Sequence, residues 1–541
     1  MLTTLRSRAS SGATAVRVLA GSGIVRPYSP RVLAGVLGTL RAWGTGPAGG
    51  FATVALREPD RPAIVDELGT LTYGELHRRA NALARGLADL GVEAGDAVAL
   101  MCRNHRGFVE TSIAAARLGA DLLYLNTAFA GPQLVEVLER EKPRVVVHDE
   151  EFTGLLAGAD SGRRVLGWVD SAAEDLGEVP SLERLIDAHD GTDLDPPGRH
   201  SRIVILTSGT TGTPKGAPRK EPGVEAAISL LSRMPLRFGW RTHIAAPLFH
   251  TWGFAHFALA MLLGSTMVLR RRFDPEEALR VVEAERCESL VVIPVMLQRI
   301  LDLPEDVLRR HPLPTLKVVA ASGSALPGDL ALDWMNHFGD HLYNIYGSTE
   351  VAYASIATPA DLRAAPSSAG QPPWGTRVRI YDEQGRPVPA DTSGRIFVAN
   401  TILFEGYTGG GNKDMIDGLM ATGDVGRFGT DGRLYVEGRD DEMIVSGGEN
   451  VFPQEVEDCL ARHDAVLEVA AVGVDDEQFG KRLRAFVVVK DGREVTEDDL
   501  KDWVRQNLAR FKVPREVLLL DELPRNATGK VLKRELAQRE E

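Results

Sequence analysis

From residue 63 to residue 322, short and almost wholly apolar runs alternate with longer segments of helical period. The runs are AIVD, DAVALMC, ADLLYLN, RVVVHD, RIVILTS, TMVLRR, SLVVIP and KVVAAS. A strand that is apolar on both faces must be covered on both, and the intervening helices provide the cover. The pattern therefore predicts the α/β class, with parallel sheets layered by helices. The first helix after AIVD is sharply delimited. Thr72 and Glu75 have capping-box spacing, Leu76, Ala80, Leu83, Leu87 and Leu90 repeat every three or four residues, and Gly91 stands where a C-terminal cap belongs. Beyond residue 370 the texture becomes short strands and Gly-rich turns (RVRIYDEQGRPVP, GRIFVAN, GRLYVEGR), which predicts a small antiparallel or barrel-like element. From Asp440 onward the chain reads as a compact α+β unit. At 541 residues it exceeds what one core organises. The expected division is a leader over 1–50, a large domain over 51–439 and a small domain over 440–541.

The leader is unusual in charge. Arg6, Arg8, Arg17, Arg26, Arg31, Arg41 and Arg57 all precede the first acidic residue, Glu58. Within it, Val32, Leu33, Val36, Leu37, Leu40 and Trp43 fall on one helical arc. Three readings fit: a helix docked on the protein's own body, a basic amphipathic segment on an anionic membrane surface, or a mitochondrial transit peptide in an otherwise cytoplasmic chain. Elsewhere the formal net charge of −13 argues against general nucleic-acid binding. Cys102, Cys287 and Cys459 are far apart and have no metal-ligand spacing. Residues 244–269 carry no Asp, Glu, Lys or Arg, but Pro247, His250, Gly253, His256 and Gly264 interrupt them. The expectation there is a buried core helix running into the strand STMVL rather than a membrane span.

The stretch TSGTTGTPKG at 207–216 follows the strand IVIL. It breaks the nucleoside-triphosphatase loop pattern twice, with Pro214 before Lys215 and Gly216 after it. Its glycines, hydroxyls and one ammonium still compose a cradle suited to a polyphosphate. The whole stretch resembles the signature of the adenylate-forming acyl-CoA synthetase superfamily. Further motifs follow in the family's order: PLFHTWG at 247–253, SGSALP at 322–327, YGSTE at 346–350, TGD at 422–424, GRDDEMIVSGGENVFPQEVE at 438–457 and PRNATGKVLKREL at 524–536.

The resemblance implies a two-step reaction: a carboxylate attacks the α-phosphate of ATP to give an acyl-adenylate and pyrophosphate, and coenzyme A then takes the acyl group and expels AMP. It assigns Thr207, Ser208, Gly209, Thr210, Thr211, Gly212 and Lys215 to the leaving phosphates. Tyr346 offers a face to adenine, beside Gly323, Ser324 and Ala325, with Asn344, Gly347 and Ser348 also at the nucleotide. Thr349 contacts the α-phosphate and Glu350 holds Mg²⁺. Asp424 and Arg439 take the ribose. Lys530, on a mobile small domain, stabilises the adenylation step and leaves for the thioester step, with Asp441 as the hinge. Ser446, Gly447, Gly448 and Glu449 line the coenzyme A channel.

His250 reads either as a core histidine or as a catalytic residue at the mouth of the acyl pocket, a gate more than a proton carrier. Trp252 lines that pocket, and Gly347 stands where relatives specialised for acetate carry Trp, so the pocket is expected to be open. A medium- to long-chain fatty acid is the first expectation for the substrate and an aromatic acid the second. An acyl-AMP ligase serving a carrier protein and a non-catalytic nucleotide-binding scaffold are the remaining alternatives.

Overall fold

In the computed structural model the described residues are 2–129, 131–171, 179–206, 216–219, 224–406, 412–440, 444–446, 449–451, 453–476, 480–508, 512–526 and 529–539. The large domain is built on two sheets. An eight-stranded sheet runs in the order Ser355–Ala357, Leu342–Tyr346, Val318–Ala321, Ser289–Val292, Arg241–Ile244, Thr266–Val268, Pro62–Asp66, Gly69–Thr72. Its six inner strands are parallel, and the edge strands Ser355–Ala357 and Gly69–Thr72 pair antiparallel. A six-stranded sheet runs Arg163–Trp168, Val145–Asp149, Ala97–Met101, Asp121–Tyr124, Ile203–Leu206, Gly216–Arg219. It is parallel except at Gly216–Arg219. The apolar runs of the sequence are these strands, and one core cluster joins residues of both sheets, among them Val98, Leu122, Leu290 and Val319.

Local chemistry sets the boundaries. Thr72 caps helix Tyr73–Asp89 and exchanges both capping-box hydrogen bonds with Glu75; Gly91 beyond it takes φ +85°. Asp66, at the end of Pro62–Asp66, accepts the backbone N–H of Arg106 at 2.9 Å and its guanidinium at 2.5–3.1 Å. That buried pair pins the start of helix Arg106–Arg117 to the eight-stranded sheet. The interrupted apolar stretch becomes helix Thr251–Leu263, closed by Gly264 at φ +52° and followed by strand Thr266–Val268, as its pattern predicts. Among the described residues no helix is long and apolar enough to cross a membrane.

A five-stranded antiparallel sheet (Arg377–Tyr381, Gly394–Ala399, Leu419–Phe428, Met415–Ile416, with Leu434–Arg439 on Leu419–Phe428) completes the large domain. The small domain carries its own sheet, in which the long hairpin Val466–Asp476 and Gly480–Val489 is flanked by Glu516–Leu520 and by Ile444–Ser446 with Glu449–Val451.

The leader is helical and docked. Leu2–Ser22 and Pro30–Trp43 precede helix Pro47–Arg57, whose residues Pro47 to Val54 are buried. That third helix runs across the expected 50/51 boundary, because Phe51 and Val54 belong to the main core. The Phe238 N–H donates to the Ser22 carbonyl at 2.7 Å, and the Arg26 guanidinium sits 4.0 Å above the Phe238 ring.

Candidate active site

In a parallel sheet the loops leaving the carboxyl ends of the strands converge on one edge, and ligands collect there. Four adjacent strands of the eight-stranded sheet supply this edge. Strand Arg241–Ile244 leads to His250, Ser289–Val292 to Ile293 and Pro294, Val318–Ala321 to Ser322–Ala325, and Leu342–Tyr346 to Gly347–Glu350. All of these loops border one cleft of about 2440 Å³. Gly323 takes φ +101° there, while Ser322 Oγ donates to the Ile345 carbonyl at 2.7 Å and locks the two neighbouring loops together.

Asp424 and Arg439 are direct cross-strand partners, 3.3 Å apart. The Tyr346 hydroxyl donates to Asp424 Oδ2 at 2.5 Å and lies 3.3 Å from Thr422 Oγ1. Burial pushes the Asp424 carboxyl above its ordinary value, against the pull of Arg439, the Tyr346 hydroxyl and Lys530. Burial and the Asp424 charge likewise push the Tyr346 phenol well up, so that it remains a donor. Asn344, Ser348, Thr349 and Glu350 are half-buried on the same wall. Ser348 Oγ accepts the N–H of Glu350 at 3.3 Å and of Val351 at 3.4 Å. Glu350 presents a hard carboxylate at the cleft, a donor suited to Mg²⁺ beside phosphate oxygens.

Lys530 comes from the other domain and is exposed, yet close enough for its charge to act on Asp424. Its turn is fixed at several points. Lys530 N–H donates to Asn526 Oδ1 at 2.9 Å, Asn526 N–H to the Lys530 carbonyl at 2.9 Å, and Arg525 to the Gly529 carbonyl at 2.6 Å. Gly529, at φ +74°, lets this turn press against the large domain: a Cβ there would lie 2.5 Å from Val295 Cγ1 and 2.9 Å from Ile293 Cδ1.

His250 is the N-cap of helix Thr251–Leu263 and borders the cleft. Loss of water holds its imidazole down at about 4, so at neutral pH the ring is uncharged. Trp252 also borders the cleft, but its indole N–H is committed to the Val292 carbonyl at 3.0 Å. Gly347 borders the cleft and is also closely backed by its own loop. A Cβ there would lie 2.2 Å from the Ala352 carbonyl and 2.7 Å from Tyr353 Cα. The residue is glycine because its own loop folds back on it; in this loop path a larger side chain meets backbone before it could plug a pocket.

Thr207, Ser208, Gly209, Thr210, Thr211, Gly212 and Lys215, expected to hold phosphates, Asp441, expected as the hinge, and Gly447 and Gly448 lie outside the described residues. Strands Ile203–Leu206 and Gly216–Arg219 on either side of the loop pair antiparallel, Leu206 opposite Gly216. Ser446 and Glu449 are backbone partners at the end of a hairpin, and Ser446 also faces Gly480.

Two residues that the sequence reading passed over belong to the site. Lys413 borders the cleft, its Nζ 3.3 Å from where a Cβ on Gly423 would stand, next to Asp424. Asn104 is buried, donates to the Ile244 and Ala246 carbonyls at 3.0 and 2.9 Å, and accepts the Leu248 N–H at 2.9 Å. It thereby sets the path of the segment that delivers His250. Neither belongs to a motif: Lys413 lies between the YGSTE and TGD stretches, and Asn104 precedes a helix far from the site in sequence.

The family model described as AMP-binding enzyme matches residues 51–408, and the AMP-binding enzyme C-terminal domain matches 455–530. A feruloyl-CoA synthase from an Amycolatopsis species is 35% identical over 493 residues, covering 90% of this chain and 97% of its own. The crystal structure of an anthranilate CoA ligase in complex with anthranoyl-AMP superposes with a TM-score of 0.79 at 25% identity, over 90% of this chain and 96% of that one. ATP-bound MatB from Rhodopseudomonas palustris gives 0.80 at 26% identity, over 91% and 98%.

Proposed function

The chain belongs to the AMP-binding enzyme family, and from that premise we propose that it activates an apolar carboxylic acid and passes it to coenzyme A. It is an AMP-forming acid–CoA ligase that uses ATP, Mg²⁺ and coenzyme A. The observation that carries the choice of acid is the cleft itself. Its lining brings the Tyr346–Glu350 wall together with the apolar side chains of Phe254, Ala255 and Ala258.

In the first step a carboxylate oxygen of the acid bonds to the α-phosphorus, and the bond to the β-phosphate bridge breaks with its electron pair leaving on pyrophosphate. The chain's part is to position the reactants and to oppose the charge that accumulates. Asp424, held by Tyr346 and Arg439, accepts the ribose hydroxyls. Thr349 donates toward the α-phosphate, and Lys530, held through its hydrogen bonds with Asn526, faces the charge shared between that phosphate and the incoming carboxylate. The loop at 207–215 takes the departing phosphates. Mg²⁺, held by Glu350, supplies neutralisation of the triphosphate when bound. His250, an uncharged imidazole, lines the acid's path. In the second step a thiolate attacks the acyl carbonyl and AMP leaves; the hairpin Ile444–Ser446 and Glu449–Val451 lies at the channel for the thiol arm. A non-catalytic scaffold has no use for Lys530 beside a paired Asp424 and Arg439.

Fatty acids and bulky aryl acids both suit an apolar pocket. The aryl reading draws support from relatives named for feruloyl-CoA and anthranilate. The test is product analysis with ATP, Mg²⁺ and a panel of acids, with and without coenzyme A. AMP, pyrophosphate and acyl-CoA are expected, and the best acid sizes the pocket. Adenylate without any thioester would indicate a protein acceptor, and no turnover on any acid would refute the proposal.

A further inference from the structure

Helix Thr251–Leu263 turns one face to the cleft along its whole length. Thr251, the neighbours Phe254 and Ala255, then Ala258 and Leu262, which recur at helical spacing on one side, all border it. At 1.5 Å per residue this wall extends about 16 Å from the reactive end. That is far deeper than one aromatic ring requires. At the far end of the helix, where Gly264 abuts the Phe238 ring on which Arg26 lies, the leader joins the lining of the cleft through Leu19, Ile24, Leu33, Val36 and Leu40. Leu33, Val36 and Leu40 stand at i, i+3 and i+7 of helix Pro30–Trp43, its apolar stripe.

This stripe is docked but not filled. Helix Pro30–Trp43 has no fully buried residue, and Leu33 is 45% exposed. A helix normally hides such a stripe against other side chains, at about 25 cal/mol per Å² removed from water. Here the stripe borders a space continuous with the Tyr346–Glu350 wall, and helix Val224–Leu231 adds Ala227 and Leu230 to it. The leader is nevertheless anchored: Ser22 accepts the Phe238 N–H, and Arg26 lies 4.0 Å from the Phe238 ring and 3.6 Å from Glu58. It also lies outside the family match, which begins at residue 51.

We propose that the leader is the distal wall of the acid-binding cavity, and that the apolar tail of the substrate fills the space between helix Pro30–Trp43 and helix Thr251–Leu263. The preferred acid is then extended and apolar, a long acyl chain or a fused-ring acid, rather than a single-ring aryl acid. This deepens the ligase reading and rests on it.

The test compares the full chain, a chain lacking residues 1–44, and the cavity-filling variants Val36→Trp and Leu40→Trp. Pyrophosphate release is followed with straight-chain acids from butanoate to stearate and with cinnamate. In the full chain kcat/KM rises with acid length. Loss of the leader lowers the ratio of stearate to butanoate kcat/KM at least about tenfold, mainly through KM, since each buried methylene contributes about 0.8 kcal/mol. The Trp variants move the optimum to shorter acids. Calorimetric ATP binding reports whether each variant is folded, and should the truncated chain fail it, the Trp variants decide. Variants that bind ATP normally and keep the full-chain length profile overturn the inference while leaving the ligase intact. A full chain that prefers cinnamate to every straight-chain acid also overturns it. A full chain that turns over no acid at all refutes the ligase proposal instead.

Discussion

Single residues make the sharpest predictions. Asp424 is buried and holds Tyr346 and Arg439 in place. Asp424→Asn therefore removes a charge-assisted acceptor, and ATP binding measured by calorimetry weakens by about 1.5–3 kcal/mol, tenfold to a hundredfold. Lys530→Ala lowers the rate of pyrophosphate release by about a hundredfold to a thousandfold. The same variant, given preformed acyl-adenylate and coenzyme A, keeps most of its thioester-forming rate. Equal losses in the two half-reactions would remove Lys530 from its assigned role. Among the histidines that burial depresses, His243 and His256 are nearly fully enclosed and contribute to acid sensitivity. Burial holds His243 at about 4 and His256 at about 3, whereas in the unfolded chain they titrate near the ordinary 6.5. Above pH 6.5 neither costs anything. Below it the unfolded chain binds protons that the folded chain refuses, so stability falls as pH drops from 6.5 toward 4. His256→Leu flattens that fall by about 1.4 kcal/mol per pH unit, as read by urea unfolding between pH 6.5 and pH 5. The motifs made Asp424 and Lys530 legible in the sequence. The histidine environments were not, because burial is set by what packs around a side chain.

At the scale of elements, the site depends on contacts between segments distant in sequence. Asn104 satisfies three backbone groups of residues 244–248. Asn104→Leu leaves them buried without partners, and the expected loss is about 2–4 kcal/mol of stability by denaturant titration, with a raised KM for the acid because the path to His250 loosens. Asp66→Asn uncouples helix Arg106–Arg117 from strand Pro62–Asp66 and strands the Arg106 charge, at about 3–5 kcal/mol. The strands and helices themselves were readable, since apolar runs, the capping box at Thr72 and the capping glycine at Gly91 are local signals. Gly347 shows the limit of that legibility. Its identity invited a reading about pocket size, whereas the loop returning at Ala352 and Tyr353 accounts for it by backbone contact.

In the whole molecule, the small domain is seated so that its Lys530 turn meets the large domain at Ile293 and Val295. Gly529→Val strains a φ of +74° and collides with Val295. Pyrophosphate release should slow by at least about tenfold, with calorimetric ATP binding less affected, because the large domain keeps Asp424, Arg439 and Tyr346. Sequence by itself determined the class of fold, the order of the motifs and the family chemistry. Each of these rests on spacing along the chain: periods of two and three to four, capping pairs, and motif residues that hold their own loops. Tertiary structure alone decided that the leader walls a cavity, that Lys413 and Asn104 serve the site, and that Gly347 answers to its own loop. Those facts concern which surfaces meet across hundreds of residues. Such meetings depend on how sheets and helices stack, a property of the packed whole that no local pattern encodes.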